Sequence, residues 1–537
     1  MVDALARPDP AARSPRRAPD GSAAAPHGEP PAWRDAATVG VLATLVSVAG
    51  SWIPSVWDDE EATLTAARRT WPELLEMLHG IDAVHGAYYA FMHVWVALVG
   101  TSAFAIRLPS AVAVGVAAAA LVLLARRVAG RTAALAAGVV LAVLPRVTFL
   151  GIEARAQAAA TALGVVASLL LVEALARRRT RWWVAYAVVA GLGVVVNVYL
   201  ALLVAAHGVT VLVSPRVRRA LGAWCVAAVG AALVAAPVLV VAGGQVAVPQ
   251  LHQPESEKLV RALLVGQWFM GTTPTHDRTI PFPPVAPTPW AWSVFALAVV
   301  GWAAMLLAVL HPRARALSAG RAPVGPVALA VPWLVLPPLV VVTWSYVGTP
   351  VYDVRYFFFQ TPAVALLMGC AVAVLRRRAA QVAALLLVVA LAAPAYLAQR
   401  TPTGNWGFDH AQAAAVVRER ARAGDGVYFG FAAGGSISPP GAIAEGYPDA
   451  FARTRDVARL QTGAQAGTLW GRWADLPDVS LDGVDRLWAV LYHRGLPSPE
   501  RSPVQDELEA RGFLTCDVTR GGTTDVVLLA RDPDACR

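Results

Sequence analysis

Eleven apolar stretches divide the chain, near residues 37–53, 107–125, 132–149, 156–176, 182–197, 199–213, 220–242, 289–310, 325–346, 356–375 and 380–397. Each lies within or near the roughly 17–25 residues that carry a helix through the hydrocarbon of a bilayer. The polar stretches between them alternate in character. With the N-terminus placed inside, every second connection is an arginine cluster: Arg126, Arg127 and Arg131; Arg177, Arg178, Arg179 and Arg181; Arg216, Arg218 and Arg219; Arg313, Arg315 and Arg321; Arg376, Arg377 and Arg378. The intervening connections hold few. That alternation is the positive-inside pattern, and one missed or invented span would break its phase. The least marked boundary is Asn197–Tyr199, where the fifth and sixth spans nearly merge.

The phasing assigns the outer side to 54–106, to the turn around Arg146–Arg155, to 243–288, to 347–355 and, after an odd number of spans, to 400–537. Three regions follow. Residues 1–35, rich in Pro, Ala and Arg, read as a disordered cytoplasmic tail. Residues 36–399 form the transmembrane body. Residues 400–537 form a small extracytoplasmic α/β domain, with strand-like runs at 427–432, 487–492 and 524–530. Its helical patterns fall at 409–423, with Asp409 as N-cap and Gly424 as stop, and at 503–511. In the first outer segment, 60–78 and the aromatic-rich 87–99 are too short or too charged to span, and read as helices lying in the interface. The predicted fold is a polytopic all-α membrane protein of about eleven transmembrane helices with this α/β domain at its end.

Composition agrees. Of 537 residues 57% are hydrophobic and 15% charged, against roughly 25% charged in a soluble domain. The net charge of +9 sits in arginine clusters between spans, where membrane orientation accounts for it and a nucleic-acid partner does not. Lys258 is the only lysine, and Ala and Val are in excess, the coding bias of a GC-rich bacterium; the predicted location is the bacterial plasma membrane. Cys225 and Cys370 lie in apolar spans. Cys516 and Cys536 share the outer domain, where an oxidising compartment would let them pair.

The segment Trp57-Asp58-Asp59-Glu60-Glu61 follows the first span directly. Carboxylates this close repel one another unless water, a metal or a substrate needing a base relieves them. A solvated loop ending a helix is the plain alternative. What argues against it is the rest of the outer segment, Ile81-Asp82-Ala83-Val84-His85-Gly86-Ala87-Tyr88-Tyr89 and then Arg107-Leu108-Pro109-Ser110.

Together with Glu153-Ala154-Arg155 before the fourth span, and Arg355-Tyr356 before the tenth with Pro362 inside it, these pieces resemble the GT-C membrane glycosyltransferases. More narrowly they resemble glycosyltransferase family 39, which contains protein O-mannosyltransferases and lipid A aminoarabinose transferases. The resemblance runs over about residues 37–400 in order and sidedness. It departs at His85-Gly86-Ala87, where the family has His-Pro-Pro, and at Ala156–Ala160, where an aromatic is frequent. It implies a polyprenyl-phosphate sugar as donor, with mannose ahead of arabinose, and a protein, lipid or glycan hydroxyl as acceptor. Asp59 takes the position of the general base in a single inverting displacement. Glu60 would orient the acceptor or hold a divalent cation, Mg²⁺ or Mn²⁺. Asp58, Asp82, His85, Tyr88, Tyr89, Glu153 and Tyr356 are candidate substrate contacts, with Arg155 and Arg355 as phosphate clamps.

Two other classes share some of these features. A flippase for lipid-linked sugars would have the spans and outer arginines, but transporters carry midplane charges and internal repeats, neither of which this sequence has. A non-enzymatic envelope protein would work through 400–537, where no motif marks a site.

Overall fold

Helices form where the apolar stretches lie. The structure, a computed structural model, describes residues 30–245, 255–271, 288–317, 322–433, 438–493, 496 and 498–537. The first helix is α1 (Ala32–Val48), followed by three within 54–106, α2 (Asp58–Ala67), α3 (Trp71–Gly80) and α4 (Gly86–Val99). Next come α5 (Ala103–Ala129), α6 (Arg131–Val143), α7 (Pro145–Leu150), α8 (Gln157–Arg177), α9 (Thr180–Val196), α10 (Leu200–Val213) and α11 (Leu221–Gly243). The body closes with α12 (Pro289–Leu310), α13 (Pro326–Val347), α14 (Thr361–Val374) and α15 (Arg378–Ala398). Among the described residues, seven helices are long and apolar enough to cross a membrane. With α1, α6, α9 and α10 they account for the eleven predicted spans.

Two spans differ from expectation, while the boundary between the fifth and sixth holds. The stretch 132–149 is two helices, because Pro145 lacks an N–H and restricts Leu144; α6 ends at Val143 and α7 restarts with proline in its first turn. The tenth span opens as a 3₁₀ turn over Val354–Gln360 before α14. Spans five and six are distinct, and Asn197 Oδ1 accepts from the Tyr199 N–H (3.0 Å) in the turn between them.

Residues 1–29 of the predicted tail lie outside the described residues. Its last turn does not fit the prediction, since α1 starts at Ala32 and buries Asp35 between Arg126 and Arg131, the latter at 2.8 Å. Arg127 and Arg177 similarly grip Glu173 at the end of α8, at 2.8 and 2.5 Å. Loop arginines thus tie helix ends together on one side of the bundle. Within it, α1 and α5 approach closely through glycine: a Cβ on Gly115 would lie 2.7 Å from the Gly40 carbonyl oxygen, the small-residue contact by which membrane helices pack.

Residues 400–537 fold as the expected α/β module. Helix α16 (His410–Arg420) precedes β1 (Gly426–Phe431), and α17 (Ala442–Gly446) follows it. Then come β2 (Arg455–Asp456), β3 (Arg459–Gln461), β4 (Arg472–Trp473), β5 (Arg486–Tyr492), β6 (Leu514–Thr519) and β7 (Thr524–Ala530). The main sheet has order β2-β1-β5-β7-β6, with β1 parallel to β2 and β5, and β7 antiparallel to β5 and β6; β3 and β4 pair separately. Strands β5 and β7 are buried at every position, as their unbroken apolar runs require. Ala413, Ala414 and Val417 of α16 cover one face against Phe429 and Trp488, while Leu508 and Phe513 cover the other. Cys516 and Cys536 form a disulfide, with Cα atoms 5.3 Å apart. Asp409 is not the side-chain cap expected. Its carboxylate accepts from the Gly522 and Thr523 backbone N–H groups (2.6 and 3.1 Å) and the Thr523 hydroxyl (2.5 Å), fastening α16 to the β6–β7 turn.

This domain sits on the segment between α1 and α5. The Tyr447 hydroxyl accepts from the Val56 N–H (2.7 Å), Ser55 Oγ donates to Gln412 (3.0 Å), and Arg69 donates to the Leu469 carbonyl (3.1 Å).

Candidate active site

Four consecutive carboxylates open α2, where the positive end of the helix dipole favours them. Helical geometry then separates them. At 3.6 residues per turn, positions i and i+3 share a face while i+1 and i+2 point elsewhere. Asp58 and Glu61 accordingly face the C-terminal domain, Glu60 faces α5, and Asp59 faces the mouth of the bundle. The acidic run is therefore three sites rather than one.

Glu60 and Arg107 form a fully buried ion pair, Nε to Oε1 at 2.8 Å and Nη2 to Oε2 at 2.5 Å. Glu60 Oε1 also accepts from the Ala154 N–H (2.8 Å), and Arg107 donates to the carbonyls of Ser51, Pro54 and Ser55 at 2.7–3.0 Å. Glu60 is therefore not available as the metal ligand or acceptor-orienting group expected of it: both its oxygens hold α2, α5 and the 153–155 turn in register. Arg107 was missed as a site residue, although a charge opening an apolar span announces a carboxylate partner.

Asp59 keeps partial access to solvent, with 24% of its side chain exposed, whereas the side chains of Glu60 and Glu61 have none. Its Oδ2 lies 3.4 Å from Arg355 Nη1 and 3.9 Å from Arg155 Nε. Arg155 also donates to the Asp59 carbonyl (3.2 Å), and Thr63 Oγ1 donates to the Asp59 and Ala154 carbonyls (3.1 Å each). Asp353 holds Arg355 from the far side, 3.2 Å from its Nε. Three segments distant in sequence thus converge on one carboxylate.

Beside them is a cavity of about 240 Å³, lined by Trp57, Arg146, Glu153, Lys258, Arg355 and Trp406 among others. Arg146 is fixed in its wall: it lies over the Phe358 ring, 3.6 Å from the centroid, and donates to the Met270 and Val354 carbonyls. Lys258 was also missed; the one signal available was its being the only lysine. Glu153 is buried, and among the described residues its Oε2 has no hydrogen-bond partner. Burial, reinforced by the Asp59 charge, pushes its carboxyl up to about 8. Arg155 turns to Asp59, and among the described residues no ion pair joins it to Glu153.

The remaining predicted residues lie around this centre. Asp82, in a left-handed conformation (φ 61°), accepts from the Tyr89 hydroxyl (3.1 Å), and the His85 ring stands 5.9 Å from that of Tyr89. Tyr88 and Tyr89 pack in the apolar cluster under α4 and do not line the cavity, but the Tyr89 hydroxyl also reaches Arg155. Tyr356 stacks on Tyr199 with centroids 5.0 Å apart.

Asp58 and Glu61 meet His410 of α16, and one donor atom from each lies within 4.8 Å of the others. Burial pushes Asp58 up to about 7. Burial also disfavours charge on His410, but the adjacent Glu61 outweighs it and draws the imidazole up to about 9.

Residues 87–241 match the family model described as dolichyl-phosphate-mannose-protein mannosyltransferase. No curated protein matches by sequence. ArnT from Cupriavidus metallidurans bound to undecaprenyl phosphate is similar in structure at a TM-score of 0.53 and 14% identity, covering 91% of this chain and 97% of that one. Its apo state gives 0.55 and 14%, covering 93% and 98%. The arabinofuranosyltransferase AftD from Mycobacteria gives 0.50 and 17%, covering 93% of this chain but 40% of its own. At these identities the structural likeness bears on fold. Residues 87–241 thus resemble that family, on a multi-pass membrane chain with the GT-C fold.

Proposed function

We propose that the protein transfers a sugar, mannose first among candidates, from a polyprenyl-phosphate donor to a hydroxyl acceptor on the outer face of the membrane. The observation that carries the reading is the Asp59 carboxylate gripped by Arg155 and Arg355 beside a cavity walled by cationic groups. The family description, which names a dolichyl-phosphate-mannose donor, and the undecaprenyl phosphate bound by ArnT support the donor class.

The chemistry follows from these groups. A lipid phosphate leaving the anomeric carbon develops charge that preorganised cations stabilise. Arg355 and Lys258 face that charge, the guanidinium offering a planar fork to two phosphate oxygens. An arriving phosphate competes for the arginine that now holds Asp59, so donor binding loosens the clamp and raises the basicity of that carboxylate. Asp59 then takes the acceptor proton as the hydroxyl attacks, and one displacement inverts the anomeric centre. Glu153, kept neutral below about pH 8, donates a hydrogen bond into the cavity.

That assignment has a pH signature. A carboxyl whose folded value is raised binds its proton more tightly in the native state, so its contribution is present at low pH and lost as pH rises through about 8. Turnover of the unaltered protein is expected to fall across that range. Glu153→Gln, a permanently neutral isostere, should keep the activity and flatten the alkaline fall. An unchanged fall in the variant assigns the titration elsewhere.

The test of function is transfer by membranes from an overproducing strain supplied with radiolabelled polyprenyl-phosphate mannose, arabinose and aminoarabinose in turn, with products sorted into protein, lipid and glycan. Label appearing from mannose alone is the expected result, and no transfer from any donor removes the proposal. An alkaline phosphatase fusion at the C-terminus checks sidedness. Activity there places 400–537 outside with the N-terminus inside.

A further inference from the structure

The face of α2 turned away from Asp59 carries a second constellation that the transfer reaction does not use. Glu61 is fully buried, and its Oε1 lies 2.8 Å from His410 Nδ1, while among the described residues its Oε2 has no hydrogen-bond partner. A carboxylate oxygen buried without a partner forfeits its hydration with nothing in exchange, so the site is incomplete as it stands. Beside it, Asp58 and His410 line a cavity of about 10 Å³ together with Ser438, Pro439, Tyr492 and Thr524. That volume is about one water-sized centre. It excludes a sugar or a phosphate and admits a single ion or a single water.

We propose that Asp58, Glu61 and His410 bind one divalent cation of the Zn²⁺ class, which pins the C-terminal domain to the helix bearing Asp59. The donor set selects the metal. Two carboxylates and one imidazole suit Zn²⁺, whereas Mg²⁺ prefers oxygen donors in near-ideal octahedral geometry and keeps most of its waters. Bonds of about 2.0–2.2 Å place tetrahedral ligand atoms roughly 3.3–3.5 Å apart. The three donor atoms already fall within 4.8 Å of one another. The Glu61–His410 contact of 2.8 Å opens to that spacing by side-chain rotation as the metal replaces the proton between them. The fourth position then lies in the small cavity, where a water or the Thr524 hydroxyl completes the shell. Neither Glu60, committed to Arg107, nor Asp59, turned to the arginines, takes part, so the site is separate from the transfer centre although one residue away from it in sequence.

The experiment uses the full-length protein purified in detergent, stripped with a chelator and titrated with Zn²⁺ against a fluorescent zinc indicator, with bound metal measured by mass spectrometry after desalting. One Zn²⁺ per chain is expected, with Mg²⁺ at large excess failing to displace it, and a rise in thermal unfolding temperature on rebinding. His410→Gln and Asp58→Asn should each weaken binding by about 100-fold or more, since even outer-shell changes cost 10–100-fold. Sub-stoichiometric zinc in the unaltered protein, or zinc affinity in both variants equal to that of the unaltered protein, overturns the proposal and leaves a water bridging an ion pair. Should His410→Gln fail to fold, the titration of the unaltered chain and the milder Asp58→Asn decide the matter. A protein that binds zinc at this site but transfers no sugar retains the metal proposal and loses the functional one.

Discussion

Replacing Asp59 with Asn is expected to slow sugar transfer by about 10²–10⁴-fold, the usual worth of a positioned general base, while donor binding persists. The barrier rises by about 3–5 kcal/mol at that loss. Asn preserves the volume of the side chain and removes only its charge and basicity, so the fold of the loop survives. The arginines around it should behave in the opposite way. Arg355→Ala releases a phosphate contact and weakens donor binding, and Arg355→Lys recovers part of it, because a point charge replaces a two-pronged donor. Single-turnover rates at saturating donor, set beside donor affinity, separate the two classes. Should Asp59→Asn bind donor poorly and yet turn over normally at saturation, the carboxylate is a binding element and the base lies elsewhere.

The second large effect is structural. Arg107→Ala leaves Glu60 buried and charged with no counter-ion, and it removes a donor from the carbonyls of Ser51, Pro54 and Ser55, the last keeping only Asn405. Removing one partner of such a pair typically costs about 3–5 kcal/mol, a large part of what holds a domain together. The expected result is loss of folded protein from detergent extracts, or a steep fall in thermal half-life, before any assay of transfer. Arg107→Met combined with Glu60→Gln removes both charges and should be distinctly more stable than either single change. A double variant no better than Arg107→Ala would mean that the hydrogen bonds to the three carbonyls, rather than the ion pair, lock the segment.

The membrane architecture was legible because its signals are long and repeated. Eleven apolar stretches and five arginine clusters constrain one another, and the one span misjudged in continuity, 132–149, broke at a proline whose missing N–H was visible in the sequence. The order of the sheet in 400–537 was not legible. Strands β2, β3 and β4 are two or three residues long, and β6 is an edge whose Leu-Thr-Cys-Asp-Val-Thr shows no run of apolar residues.

At the site, Asp59, Arg155 and Arg355 were identified and do meet. The division of the acidic run was harder. Carboxylates adjacent in sequence look like one cluster until helical rotation sends them to different partners. Glu60 was misjudged because its partner lies 47 residues away, and Glu61 went unremarked because its partner lies 349 away. Tyr88 and Tyr89, drawn in by their position in an interfacial helix, are both buried under α4, Tyr89 beside Arg155.

The separation of Glu61 and His410 by 349 residues bears on how the protein is made. Ribosomes add about 5–20 residues per second, so helix α2 waits roughly 20–70 s at the membrane surface before α16 exists. In that interval Glu61, Ser55, Val56 and Arg69 have none of their final partners from the last domain, and water must serve in their place. Assembly of the loop that carries Asp59 is therefore the closing event of biogenesis, after the last helix has inserted and the terminal domain has folded over it. A nascent chain released before residue 400 would be a finished membrane bundle with an unfinished mouth.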